Sequence, residues 1–252
     1  MRRILLIILI SIFHFTTMNA QSHSKSCIVK YFDTPASPTH EDLEKIFANP
    51  CIPINSIDCV NWPEKNNNYN ALCSFKIIYS QEYLILRYSA KEKEIRATFP
   101  ADTNSQPWTE DCMELFIIPN PDDGVYFNIE MSCIGYGIVG KGAQRTERER
   151  LTSDMLNKIL RFSSLGRVPF GDKIISENSP DEFFEWSLII AIPYEIFSAD
   201  KGAEMFRGKE IPANVYKCGD KMVNSHYFSW SSIGTPKPNF HTPEFFGKFI
   251  FE

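Results

Sequence analysis

Apolar residues recur with a period of two over Phe75–Tyr79, Tyr83–Ser89, Cys112–Ile118, Tyr126–Ile134, Phe184–Ile192, Asn214–Cys218 and Phe249–Phe251. That spacing suits strands, and the stretches between these runs are rich in turn formers. Pro119-Asn-Pro-Asp-Asp-Gly124 lies between two of the runs and closes them into an antiparallel hairpin. Helical signals are few. Thr39 with Asp42 caps a segment through Phe47, Thr152-Ser153 starts one through Leu160, and Pro193 suits the first turn of Pro193–Phe197. Many strands and a few short helices predict an all-β fold, an antiparallel, jelly-roll-like β-sandwich.

The hairpin sorts its side chains by face. Phe127, Ile129, Met131 and Cys133 share one side of the second strand, and Asn128, Glu130 and Ser132 share the other. Met113, Leu115 and Ile117 alternate likewise with Cys112, Glu114 and Phe116 on the first strand. Burying both apolar sets together brings Glu114, Asn128 and Glu130 onto one surface. Just upstream, Pro107-Trp108 sets an indole beside this strand. A sugar site needs a flat ring for the C–H face of a pyranose and charged acceptors for its hydroxyls, and charge-assisted hydrogen bonds are the stronger kind. The plainer reading stays open: a core tryptophan and a solvated sheet face. Trp186 and Trp230, each within an alternating run, are expected in the core.

The first residues bear on compartment. Arg2 and Arg3 precede the apolar stretch Ile4–Ile12, and Met18-Asn-Ala20 offers a cleavage site, so residues 1–20 read as a signal peptide. No cysteine directly follows that stretch, so free secretion or a periplasmic location is expected rather than a membrane anchor. Residues 21–252 are expected to form one domain. Without residues 1–20 the chain carries 24 Lys and Arg against 31 Asp and Glu, a net charge of −7. This disfavours a polyanionic partner, and no nucleic acid is expected. The densest basic run, Lys141–Arg150, is diluted by Glu147 and Glu149 and reads as a solvated loop or helix face. Seven cysteines, Cys27, Cys51, Cys59, Cys73, Cys112, Cys133 and Cys218, leave at least one unpaired, while Cys51 and Cys59 are close enough to bridge a short loop.

The ordered set Pro107-Trp108, Asp111, Glu114–Ile117, Tyr126–Glu130, Ala213–Tyr216, Ser229-Trp230 and Asn239–Pro243 with Phe246-Gly247 resembles the family 9 carbohydrate-binding modules, in particular the secreted family 9-like proteins of Bacteroidetes. The resemblance runs from about Ile57 to Glu252. It implies a β-sandwich in which two aromatic side chains, matching Trp108 and Phe240, sandwich a terminal sugar, with polar contacts at Glu114, Asn128, Glu130 and Tyr216. The pattern has arginine at the position of Asn128, glutamine at Tyr216 and tryptophan at Phe240. Lys217 and His226, and Arg96 just before the Trp108 loop, are further candidates for the same cavity. The implied partner is a saccharide, held without catalysis and in association with polysaccharide-degrading enzymes.

Other readings carry less. Gly135-Tyr-Gly-Ile-Val-Gly140 matches the dinucleotide pattern but lies in no βαβ unit, so its glycines are expected to permit tight turns. Glu114 and Glu130 could serve as the acid and base of a glycoside hydrolase. Met113, Met131, His226 and His241 keep a haem-binding sandwich open. No cofactor is expected; the resemblance leaves room for a structural calcium ion, with Asp122, Asp123 or Asp220 as oxygen donors.

Overall fold

The computed structural model describes residues 25–66, 69–176, 178–197 and 202–252. The signal-peptide reading of residues 1–20 lies outside them. Among the described residues the strands are β1 (Ser26–Tyr31), β2 (Asn55–Ser56), β3 (Cys59–Val60), β4 (Leu72–Tyr79), β5 (Tyr83–Glu92), β6 (Glu94–Ala97), β7 (Cys112–Ile117), β8 (Tyr126–Ser132), β9 (Gly137–Gly142), β10 (Glu149–Arg150), β11 (Leu160–Ser163), β12 (Gly171–Ile174), β13 (Phe184–Pro193), β14 (Glu210–Cys218), β15 (Tyr227–Ser229) and β16 (Gly247–Phe251).

The strands make a β-sandwich. One sheet runs β10-β9-β8-β7-β14-β16-β1 and the other β1-β4-β5-β13-β11, with β6 and β12 a separate ribbon. Strand β1 belongs to both sheets: Ser26–Val29 pair with β16, and Lys30 and Tyr31 pair with β4. Both pairings are parallel, an exception to the antiparallel expectation. They are sterically open to β1 because its neighbours are reached by long connections rather than by a tight hairpin.

Between the sheets lies one apolar core. Met113, Leu115, Ile129, Met131 and Val215 from the first sheet meet Phe75, Ile77, Leu86, Leu188 and Ile190 from the second. Trp186 and Trp230 are buried there as expected. The outer face of the second sheet is covered by α1 (His40–Phe47), whose Leu43 and Phe47 pack on Ile78, Ile85 and Ile189. Thr39 and Asp42 form its reciprocal capping box. The second helix, α2 (Ser153–Leu156), stops well short of the expected Leu160. Leu160 instead opens β11, whose Leu160–Ser163 pair with Leu188–Ala191 of β13, so sheet hydrogen bonds win over a longer helix.

All seven cysteines are free thiols. The Cys51–Cys59 bridge is therefore not made: the Cys59 thiol donates to the carbonyl of Trp230 at 3.3 Å, while Cys51 is exposed. No helix among the described residues is long and apolar enough to cross a membrane.

Candidate functional site

The outer face of the first sheet carries the site, and strand register builds its floor. Glu114 stands opposite Glu130 on β8 and Tyr216 on β14, Phe116 opposite Asn128, and Cys112 opposite Cys218. Alternation therefore sends Glu114, Asn128 and Glu130 outward together while Met113, Leu115, Ile129 and Met131 point into the core. Gly140 of β9 lies opposite Asn128, and a Cβ there would sit 2.7 Å from Asn128 Oδ1, so glycine leaves the room the amide occupies. Gly135 holds φ of 80°, the tight turn between β8 and β9. At Gly137 a Cβ would collide with the Glu130 carbonyl, so all three glycines of the pattern are accounted for without a nucleotide.

Over this floor opens a cavity of about 480 Å3. Trp108 and Phe240 both line it, with Glu114, Asn128 and Glu130. Trp108 is half-buried in the single 3-10 turn Pro107–Thr109, and its carbonyl accepts from the Asp220 amide at 2.9 Å, which ties its loop to the one after β14. Phe240 is held from behind. The Tyr216 ring stacks on it at 4.1 Å between centroids and 6° between planes, and the Tyr216 hydroxyl donates to the Phe240 carbonyl at 3.2 Å. His241 lines the same wall and shares a 2.8 Å hydrogen bond with the Tyr126 hydroxyl. Burial and the charges of Arg148 and Arg145 push its pKa down to about 4.

The carboxyls of the floor are shielded from water. Burial lifts Glu130 to about 7, opposed by the hydrogen bond from Asn128 (2.6 Å) and by Arg150 and Arg148. Burial lifts Glu114 well above its ordinary range, and Cys218, whose Sγ lies 3.0 Å from Oε1, and the neighbouring Glu130 reinforce the rise. Asp220, also on the cavity wall, is raised by burial.

Four residues grouped with the cavity in sequence lie elsewhere. Tyr216 is fully buried and backs Phe240 instead of facing the space. Lys217 points the other way from Tyr216 and Cys218, into the sandwich. There its ammonium lies 2.5 Å from Asp111, 3.2 Å from Glu92 and 2.6 Å from His226 Nε2. Glu92 in turn accepts from the Tyr69 hydroxyl (2.8 Å) and the Trp186 indole (2.6 Å). Burial works against the Lys217 charge, but Asp111 and Glu92 outweigh it and hold its pKa well above the usual value. His226 is neutral: burial and the Lys217 charge hold its pKa well below 6.5, and its Nδ1–H donates to the Asn224 carbonyl at 2.8 Å. Arg96 is on the β6–β12 ribbon, bonded to Asp172 at 2.5 and 2.7 Å.

Conversely, three cavity residues come from the run that read as a solvated face. Arg145, Arg148 and Arg150 line one wall. Alternation separates the charges of this run: Glu149 turns outward to Lys141 at 3.2 Å while Arg148 and Arg150, on either side of it, turn inward. The Arg148 guanidinium donates to Asn128 Oδ1 at 2.6 and 2.9 Å, so an arginine head stands beside the position where the family pattern has one. Tyr227 and Cys218 complete the lining near Asp220.

Two groups of side chains among the described residues have metal-ligand spacing, Cys112–Glu114–Cys218 and Glu92–Asp111–His226. Neither includes Asp122, Asp123 or Asp220, and Asp123 caps its own hairpin turn by accepting from the Val125 amide at 2.9 Å. Met113 and Met131, considered for haem, are sealed in the core.

The family model for carbohydrate-binding family 9 matches residues 41–251. The chain belongs to that family. Among curated proteins there is no match. A solved structure of a candidate carbohydrate-binding protein from Bacteroides uniformis ATCC 8492 is 33% identical, with a TM-score of 0.81 over 91% of this chain and 100% of that one. A family 9 module from Caldicellulosiruptor kristjanssonii, solved with glucose, is 12% identical, with a TM-score of 0.55 over 90% of this chain and 96% of that one. The same organism's module with cellotriose gives 0.54, at 12% identity over 90% and 94%. At that identity the two modules support the sandwich fold alone.

Proposed function

We propose that this family 9 member is a secreted or periplasmic, non-catalytic protein that holds a mono- or oligosaccharide, presented as a glycan chain end, in the cavity on the outer face of the first sheet. Trp108 and Phe240 offer flat apolar rings to the C–H face of a pyranose. Glu114, Asn128 and Glu130 exchange hydrogen bonds with its hydroxyls. The observation that carries this reading is the convergence of both rings and all three polar side chains on one cavity of about 480 Å3. That volume falls within the roughly 300–1,000 Å3 of small-molecule sites. Membership of the carbohydrate-binding family 9 supports a saccharide as ligand. Polysaccharide-degrading enzymes are the partner class that follows.

Hydrolysis fits the geometry less well. A glycosidase needs two carboxyls on either side of the scissile bond. Glu114 and Glu130 are direct cross-strand neighbours on one floor, and side chains so paired start roughly 5 Å apart and side by side. They lie beneath a ligand together.

The test is calorimetric titration with a panel of oligosaccharides, and product analysis after long incubation with the same panel. Binding is expected without chain shortening, and Trp108→Ala is expected to weaken it by about tenfold or more, the scale of uncovering an aromatic face. Full affinity in that variant, or turnover that disappears in Glu114→Gln, overturns the reading.

A further inference from the structure

The cavity gathers arginines on one side, although acids outnumber cations in the chain as a whole. Arg145, Arg148 and Arg150 share one wall. Among the described residues the arginines in ion pairs are Arg87, Arg96, Arg161 and Arg207, so none of the three on the wall has a carboxylate within salt-bridge distance. The whole sequence nonetheless carries a net charge of −5, and its surface elsewhere pairs lysines and arginines freely with carboxylates. Three guanidiniums facing one concave space with no carboxylate in direct contact make a place for an anion.

The three differ in what they can offer. Arg148 is fully committed: its Nε and both terminal nitrogens donate to Asn128 Oδ1 and to the carbonyls of Tyr126, Gly140, Gly142 and Gln144, and its plane lies over the Tyr126 ring at 4.0 Å. Every one of those acceptors is neutral, so Arg148 contributes a fixed positive charge and no spare donor. Arg145 and Arg150 are exposed and keep their donors available. The Arg150 guanidinium lies 5.9 Å from the centroid of the Trp108 ring, so a free fork of donors borders the surface on which a sugar would stack.

The opposing acids offset this wall only in part. Glu114 and Glu130 sit beneath it, but burial lifts Glu114 well above its ordinary range and Glu130 to about 7, which weakens their negative charge. Asp220 is the remaining carboxylate of the lining; burial raises it, while Tyr227, Arg145 and Lys221 act to lower it.

We infer that the ligand is an acidic saccharide, a sugar bearing a carboxylate or sulfate, whose anionic group is gripped by Arg145 and Arg150 in the field of Arg148. The inference rests on the reading of the cavity as a saccharide site and specifies which saccharide it takes. Guanidinium forks match carboxylate and sulfate oxygens in pairs, which a neutral hydroxymethyl group cannot exploit.

Matched ligands decide it: a disaccharide ending in a uronic acid, its neutral hexose counterpart, and a sulfated hexose disaccharide, each titrated into the purified chain at low and high salt. At least one acidic ligand is expected to bind roughly tenfold or more tighter than the neutral one, as a charged hydrogen bond gives. That advantage should shrink as salt rises. The Arg145→Gln, Arg150→Gln double variant, both positions being exposed, is expected to lose the preference for the acidic ligand over the neutral one together with its salt dependence. Preference for the uronate assigns the anion to a carboxylate, and preference for the sulfated ligand alone assigns it to sulfate. Both support the inference. Equal affinity for acidic and neutral sugars overturns it and leaves the saccharide reading standing, and a folded double variant that keeps the preference overturns the role of the arginines. Failure of every sugar to bind overturns both readings.

Discussion

Glu114 of β7 stands directly opposite Glu130 of β8, and both carboxyls are almost wholly buried at the floor of the cavity. Two acids so close and so dry cannot both ionise freely, and the pair shapes how the protein responds to pH as well as what it can hold.

Glu130 gives that response a measurable sign. Burial raises it from 4.5 to about 7, so across this window the folded state keeps a proton that the unfolded chain has released. The stabilising contribution is fully present below about pH 4.5 and is lost as the pH rises through about 7. Other groups, such as His241, titrate in the opposite sense, so the contribution is isolated by comparing variants. Glu130→Gln is expected to gain on the wild type by up to about 3 kcal/mol between pH 4.5 and 7.5, with no further change above. Denaturant unfolding at several pH values measures this, and a difference constant with pH contradicts the assignment.

The buried cation offers a test of a different kind. Lys217→Met leaves Glu92 and Asp111 facing each other in the core without their ammonium. Breaking a buried pair from one side costs about 3–5 kcal/mol. For a chain of this size that is on the order of 10 °C in Tm. Calorimetric melting is the measurement. A variant that melts like the wild type but no longer binds sugar would return Lys217 to the binding residues.

Thiol labelling checks the cysteine assignments. Cys51 is exposed, Cys59 is partly buried with its pKa raised by burial, and the other five are buried, with Cys27 and Cys112 pushed up to about 12. A maleimide should modify Cys51 first, Cys59 more slowly, and the rest only after unfolding, because the thiolate is the reactive form. Mass spectrometry of digests reads the order. Early modification of Cys218 would mean that the cavity floor is open to solvent.

Much of this was legible in the chain because a sheet writes its faces into alternate positions. The side-by-side placement of Glu114, Asn128 and Glu130 followed from β7 and β8 alone. Lys217 was misgrouped by its charge, although Ala213, Val215 and Lys217 share one face of β14 and the apolar company of the first two points inward. The arginine wall was lost for a related reason. Counting charges over Lys141–Arg150 averages Glu149 with its neighbours, whereas the two-residue strand β10 sends Glu149 to Lys141 and Arg150 to the cavity. The short strands β9 to β12 carry too few apolar residues to announce themselves, and β1 joins the sheets through partners far away in sequence.

A single methyl group tests whether the floor must keep its present shape. Gly140 of β9 faces Asn128, and a Cβ added to it would stand 2.7 Å from Asn128 Oδ1 and 3.5 Å from Arg148 Nε. The backbone at this position does not have positive φ, so alanine introduces crowding without backbone strain. The side that must yield is the amide, because β8 and β9 are paired from Tyr126 to Met131 and cannot separate locally. Displacing Asn128 breaks its bonds to Arg148 and Glu130 together, which turns the amide out of the cavity floor and frees the Glu130 carboxyl from the bond that lowers its pKa. Gly140→Ala is therefore expected to weaken saccharide binding by roughly tenfold, the loss of a hydrogen bond, and to cost about 1–3 kcal/mol of stability for overpacking. Asn128→Ala in the same background should restore the stability, since the clash disappears with the amide, but not the affinity. Affinity regained in the double variant would mean that the amide takes no part in holding the sugar.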